Sequence, residues 1–133
     1  MIKGIDHIGI AVKDIEAAMD IYKSSFGMDA GEIEDISSHG VKVAHLSAGD
    51  SSIELIEPTD SSTGISRFLE KRGEGVHHIS FEVDDILSSL SILKKKGIEP
   101  IDKEPRKGSR NTLIAFLDPK STGGILIELC QHL

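Results

Sequence analysis

Cysteine is almost missing from this chain. Cys130 is the only one in 133 residues, so no internal disulfide can form, and a reducing, cytoplasmic setting fits. There is no tryptophan, with one tyrosine and four phenylalanines, which argues against a surface built to stack bases or sugars. No apolar run approaches the roughly 20 residues needed to cross a bilayer. The N-terminus opens on a strand-like segment, not on a charged head followed by an apolar signal core. An excess of basic charge is also lacking: 15 Lys and Arg stand against 22 Asp and Glu, a formal net charge of −7. That balance excludes nucleic acid as a first expectation, as the missing apolar run excludes a membrane. What remains is 38% hydrophobic and 28% charged residues, close to the globular mean. The length suits one domain able to bury its own core.

The chain contains itself twice. Residues 4–15 read GIDHIGIAVKDI and residues 75–86 read GVHHISFEVDDI, at an offset of 71. A helix pattern follows each copy. In the first, Asp14 is placed to cap, Ile15, Ala18, Met19, Tyr22 and Phe26 recur at helical spacing, and Gly27 ends the run. In the second, Asp85 caps, Ile86, Leu90 and Leu93 form the stripe, and Lys94 to Lys96 precede Gly97. Two strand-like runs around a turn come next, at 40–58 and at 111–131. A weaker strand is expected after each helix, near Ala30–Ile36 and Ile98–Lys103. Each half therefore reads β-α-β-β-β. Module one spans 1–58 and module two 75–133. The linker 59–74 carries a short helix in ISRFLEKR (65–72), with Ile65, Phe68 and Leu69 facing inward.

Alternation along strands places the unusual residues. In the first strand Ile8, Ile10 and Val12 share the face toward the helix, and His7, Gly9 and Ala11 the other. In the second copy Ile79, Phe81 and Val83 oppose His78, Ser80 and Glu82. In SSIELIEP, Glu54 lies opposite Ile53, Leu55 and Glu57; in GGILIELCQ, Glu128 lies opposite Ile125, Ile127 and Leu129. The repeat makes His7 equivalent to His78, and Glu54 to Glu128. A lone strand histidine or glutamate is ordinarily a solvated or satisfied polar residue. Four such residues in matching places are a different matter, because pseudo-twofold symmetry brings them together. Two imidazoles and two carboxylates bind a first-row divalent cation with one or two positions open, which makes a Lewis-acid centre.

These residues, with IDHIGIAV (5–12), IELIEP (53–58), FLEKRGEGVHHISFEVDDI (68–86), PRKG (105–108) and PKSTGGILIEL (119–129), resemble the vicinal oxygen chelate superfamily and, within it, the methylmalonyl-CoA epimerase family. The resemblance covers nearly the whole chain. It implies an α+β fold of two tandem βαβββ modules forming a curved mixed sheet around a metal-binding cavity. It implies His7, His78 and Glu128 as metal ligands and Glu54 as the fourth. Cobalt is favoured, while nickel, zinc or manganese tolerate the same ligands. A cytoplasmic homodimer acting on an acyl-CoA in propionate metabolism is expected. Two positions depart from the family: Val43 stands where some epimerases carry a second catalytic glutamate, and Asp118 stands where they commonly carry histidine before Pro-Lys.

The chemistry implied is proton removal from the carbon between thioester and carboxylate, then reprotonation from the opposite face. Glu128 is the expected base on one side. Glu54 by symmetry, or His45 by position, serves the other. The stretch KEPRKGSR (103–110) supplies Lys103, Arg106, Lys107 and Arg110, with Lys120 in the nearby turn, as candidates for coenzyme A phosphates. His77 reads as structural, and His39 and His132 as bystanders. The alternatives are a glyoxalase-like lactoylglutathione lyase acting on a hemithioacetal, which Asp118 favours, and a non-catalytic drug-binding protein of the same fold, which the filled ligand set opposes.

Overall fold

A computed structural model describes residues 1–133. The chain forms two compact units: His7–His77, and His78–Leu133 together with Met1–Asp6. The elements are β1 (Ile2–Ala11), α1 (Ile15–Phe26), β2 (Glu34–Ile36), β3 (Val41–Ala48), β4 (Ser51–Pro58), α2 (Gly64–Arg72), β5 (Gly75–Val83), α3 (Ile86–Lys95), β6 (Arg106–Lys107), β7 (Thr112–Phe116) and β8 (Ile127–His132). The expected βαβββ order is present twice.

In the His7–His77 unit the strands lie in the order β2-β3-β4-β1, with β1 parallel to β4 and the remaining pairs antiparallel. Asp14 caps α1 by accepting from Ala17 N, and Gly27 ends it in the left-handed conformation. One face of the sheet packs Val12, Ala44, Leu46 and Leu55 against Ile15 and the α1 stripe. The far end of the other face, Ala11, Val41, Val43 and Ile56, is covered by Ile65, Phe68 and Leu69 of α2. Val43 is thus core, as its apolar side chain requires. His77 stacks edge-on against Phe68, with ring centroids 5.1 Å apart.

The second unit repeats the plan with β5-β8-β7-β6. Asp85 caps α3 through Ser88 N. Val83, Ile86, Leu90, Ala115, Leu117, Ile127 and Leu129 form its core. The repeat extends to a cross-link. Glu57 Oε1 accepts from Ile15 N at 3.0 Å, and Gln131 Oε1 accepts from Ile86 N at 2.9 Å. Each helix N-terminus, where backbone donors lack intrahelical partners, is thereby tied to the last strand of its module.

Three expectations shift. The weak strand near Ala30–Ile36 is confined to Glu34–Ile36, with Ala30 making only an isolated bridge to Leu46. The weak strand at Ile98–Lys103 is not one; only Pro100 makes a bridge, to Leu117, and the short strand is Arg106–Lys107. Proline lacks a donor. Asp102 meets the neighbouring strand with its side chain, its carboxylate accepting from Phe116 N at 2.8 Å. Likewise Ile125 does not share the buried face of Ile127 and Leu129. It is exposed, because the turn through Gly123 and Gly124, both at positive φ, holds the chain out of the sheet until Ile127.

Candidate functional site

On β1, β4 and β3 the face under α2 changes character toward one end. His7 sits opposite Ser52, Gly9 opposite Glu54, and His45 opposite Glu54. Paired residues project to the same side, so His7, His45, Ser52 and Glu54 form one polar cluster beyond the apolar patch. His7 Nε2 lies 3.4 Å from Glu54 Oε1, and His45 Nε2 lies 3.3 Å from Glu54 Oε2. His45 Nδ1 shares a 3.3 Å hydrogen bond with Ser52 Oγ. The rings of His7 and His45 meet edge to face at 5.8 Å. His7, Ser52 and Glu54 are buried, and the His45 side chain is 12% exposed.

The other unit carries the counterpart. His78 Nε2 lies 4.0 Å from Glu128 Oε1, and both residues are buried. Ser80 pairs in register with Glu128 as Gly9 does with Glu54, and Phe116 pairs with Glu128 as His45 does with Glu54. The Phe116 ring meets His78 edge-on at 5.3 Å, and the Arg106 guanidinium stands over the Phe116 ring, 5.8 Å from its centroid. Ser80 is fully buried, with no hydrogen-bond partner for its hydroxyl.

Burying an imidazole and a carboxylate side by side is costly unless hydrogen bonds or a cation compensate it. The separations suit one. A divalent ion lies about 2.0–2.2 Å from imidazole nitrogen or carboxylate oxygen, so two ligands of one ion stand about 3–4.2 Å apart. The distances of 3.4 Å and 4.0 Å fall inside that range. The donor set in each unit, one imidazole and one carboxylate, is chemically that of a first-row divalent metal.

Other expected residues have different surroundings. Lys103, Lys107 and Lys120 are exposed. Arg106 is held beside Asp102, Nε to Oδ1 3.5 Å, as well as over Phe116. Arg110 donates to Asp6 Oδ2 at 2.9 Å, and His132 meets Asp6 Oδ1, so His132 is no bystander. Cys130 is buried on the same strand, and burial pushes its thiol up, with the carboxylates of Asp6 and Glu128 adding to the effect. Asp118 caps the turn Pro119–Ser121 by accepting from Lys120 N at 3.0 Å. Sequence reasoning passed over Ser52 and Phe116, and gave Ser80 a place on the face of His78 but no role. The offset of 71 that relates His7 to His78 also relates Gly9 to Ser80 and His45 to Phe116, and would have brought two of them in.

Comparison with known proteins agrees with this plan. Residues 6–116 match the family model of the glyoxalase/bleomycin resistance protein/dioxygenase superfamily. The ethylmalonyl-CoA/methylmalonyl-CoA epimerase of Cereibacter sphaeroides is 38% identical over 133 residues, spanning 98% of this chain and 99% of that protein. The mitochondrial methylmalonyl-CoA epimerase of Homo sapiens is 38% identical over 128 residues, spanning 96% of this chain and 73% of its own. Among solved structures, a variant of the Streptomyces coelicolor methylmalonyl-CoA epimerase in complex with 2-nitronate-propionyl-CoA superposes with a TM-score of 0.95 at 36% identity, covering 99% of this chain and 96% of that one. The chain belongs to the glyoxalase/bleomycin resistance protein/dioxygenase superfamily and, within it, to the family of the methylmalonyl-CoA epimerases.

Proposed function

We propose that this protein is a metal-dependent epimerase that interconverts the R and S forms of methylmalonyl-CoA, with His7, Glu54, His78 and Glu128 as ligands of one divalent ion. The observation that carries the reading is the repeated buried His–Glu pair, one in each module at metal-ligand separation. The relatives' activity supports the substrate. Cobalt is the ion the family resemblance favours, and nickel, zinc or manganese accept the same donors.

A divalent ion in this ligand set supplies positive charge at the thioester oxygen, where negative charge develops as the proton leaves. Glu128 takes the proton from the carbon between the two carbonyl groups. Its position among Phe116, His78 and Ser80 keeps water from competing for that proton. The flattened carbon is reprotonated from the opposite face, a role that falls to the Glu54–His45 pair. With Val43 part of the α2 core, no carboxylate is available at that position. Lys103, Arg106, Lys107 and Lys120 serve the phosphates of coenzyme A, and the place of Arg106 over Phe116 supports its inclusion.

The lyase alternative loses its particular residue, because capping a turn accounts for Asp118. The test is turnover of one epimer followed with a coupling enzyme that consumes only the other, in protein stripped by chelator and then reloaded. Activity that vanishes with the metal and returns with it supports the reading. Metal binding without turnover would sink the substrate, and turnover of methylglyoxal with a thiol would then install the lyase.

A further inference from the structure

We infer that His45, held by Ser52, is a positioning residue that assigns the two oxygens of Glu54 to different tasks and so fixes Glu54 as a metal ligand. The inference rests on the proposed metal site and deepens it.

The geometry is directional. Glu54 Oε1 faces His7 Nε2 at 3.4 Å, and Glu54 Oε2 faces His45 Nε2 at 3.3 Å. With Oε2 committed to His45, rotation of the carboxylate is restrained, and Oε1 is presented on the His7 side. His45 in turn is set by Ser52. In the tautomer in which the Ser52 hydroxyl donates to Nδ1 across 3.3 Å, Nε2–H is the donor toward the carboxylate. Chains of this kind, in which an outer residue orients a ligand and raises its basicity, are a recurrent support of metal sites.

The repeat supplies the control. The residue equivalent to His45 is Phe116, which occupies the same register position opposite Glu128. A phenyl ring has no nitrogen with which to donate to a carboxylate as imidazole does. Phe116 therefore has no counterpart of the contact that His45 makes with Glu54. Two glutamates related by internal symmetry are given unequal neighbours on that strand, an imidazole beside Glu54 and a phenyl ring beside Glu128. A sequence that kept the two modules symmetric would have no reason to place histidine at one position and phenylalanine at the other.

The test replaces His45 by Phe, copying module two into module one, and by Gln, whose amide N–H can still donate to Glu54. Ser52→Ala is the third variant. Purified proteins are compared by melting curves to establish folding. Divalent metal affinity is then measured by competition with a chromogenic chelator, and the visible spectrum of the cobalt-loaded form is recorded. His45→Phe is expected to weaken metal binding about 10- to 100-fold and to alter the cobalt spectrum. His45→Gln should remain within about threefold of the parent, with Ser52→Ala between the two. If His45→Phe binds metal as tightly as the parent with an unchanged spectrum, the inference is overturned while the proposed metal site stands. If His45→Gln fails as badly as a folded His45→Phe, hydrogen bonding to Glu54 is not the reason and the inference is again overturned. If the parent binds no divalent ion, the proposed function fails, and this inference with it.

Discussion

Arg110 offers a perturbation in which two structural terms oppose each other. Its guanidinium donates to the Asp6 carboxylate at 2.9 Å, and the Asp6 side chain is only 5% exposed. Its backbone lies at φ 52 and that of Asn111 at φ 54, so a non-glycine residue is held left-handed here. A hydrogen bond to a charged group is worth about 1.5–3 kcal/mol. Left-handed backbone costs a side-chain-bearing residue about 1–2 kcal/mol, of which glycine escapes roughly 1 kcal/mol net after its greater freedom in the unfolded chain is counted. Arg110→Ala loses the bond and keeps the backbone cost, and should destabilise by about 1.5–3 kcal/mol. Arg110→Gly loses the same bond but is relieved at the backbone, and should destabilise by only about 0.5–2 kcal/mol. The predicted order is parent, then Gly, then Ala, with a gap between the variants of about 1 kcal/mol, or roughly 4 °C in Tm for a domain of this size. Urea unfolding of metal-free protein followed by circular dichroism reads the difference. Equal stability of the two variants, or Ala above Gly, would refute the claim that the left-handed backbone carries a cost at Arg110.

Further outcomes follow from the same kind of reading. Asp118→Ala removes the cap of the turn at Pro119–Ser121 and should lower stability by about 0.5–2 kcal/mol with kcat little changed, whereas Asp118→Asn should cost a few tenths; a large fall in kcat for the folded Asn variant would return Asp118 to the chemistry. Cys130 is buried with its thiol pushed up, so it should resist a colourless aromatic disulfide reagent at pH 8 until denaturant is added. Because that shift is upward, the unfolded chain binds fewer protons than the folded one above the ordinary thiol value of 9.0, and stability should fall as pH rises beyond it. The decline should be shallower in Cys130→Ala, and parallel pH profiles would contradict the assignment. Gly108→Ala would bring a Cβ within 2.8 Å of both Ile114 Cγ2 and Thr112 Oγ1, and should destabilise by about 1–3 kcal/mol by thermal melting.

Much of this was legible in the sequence because the repeat doubled every signal. Asp14 and Asp85 announced two helix starts, and the alternation around His7 and His78 placed both on the face away from α1 and α3. Glu54 and Glu128 followed from the apolar residues flanking them. What escaped was set by contacts distant in sequence. The edge strand fell at Arg106–Lys107, and Asp102 meets Phe116 N with its side chain, a contact that no periodicity reveals. Arg110, one of a run of cations by composition, is tied to Asp6 across 104 residues. His45 could be placed on the right face by counting, but its partners Ser52 and Glu54 required the register of β3 on β4.

The measurement that tests the central claim most directly is solvent deuterium exchange into the 2-position of methylmalonyl-CoA, with metal-loaded parent protein beside Glu128→Gln. The account predicts metal-dependent exchange well above the uncatalysed background from both epimers in the parent, and its loss from one epimer in a Glu128→Gln protein that still folds and still holds metal. Exchange that persists undiminished from both epimers in that variant would contradict Glu128 as a base, and no exchange in a metal-loaded parent would contradict the epimerase itself.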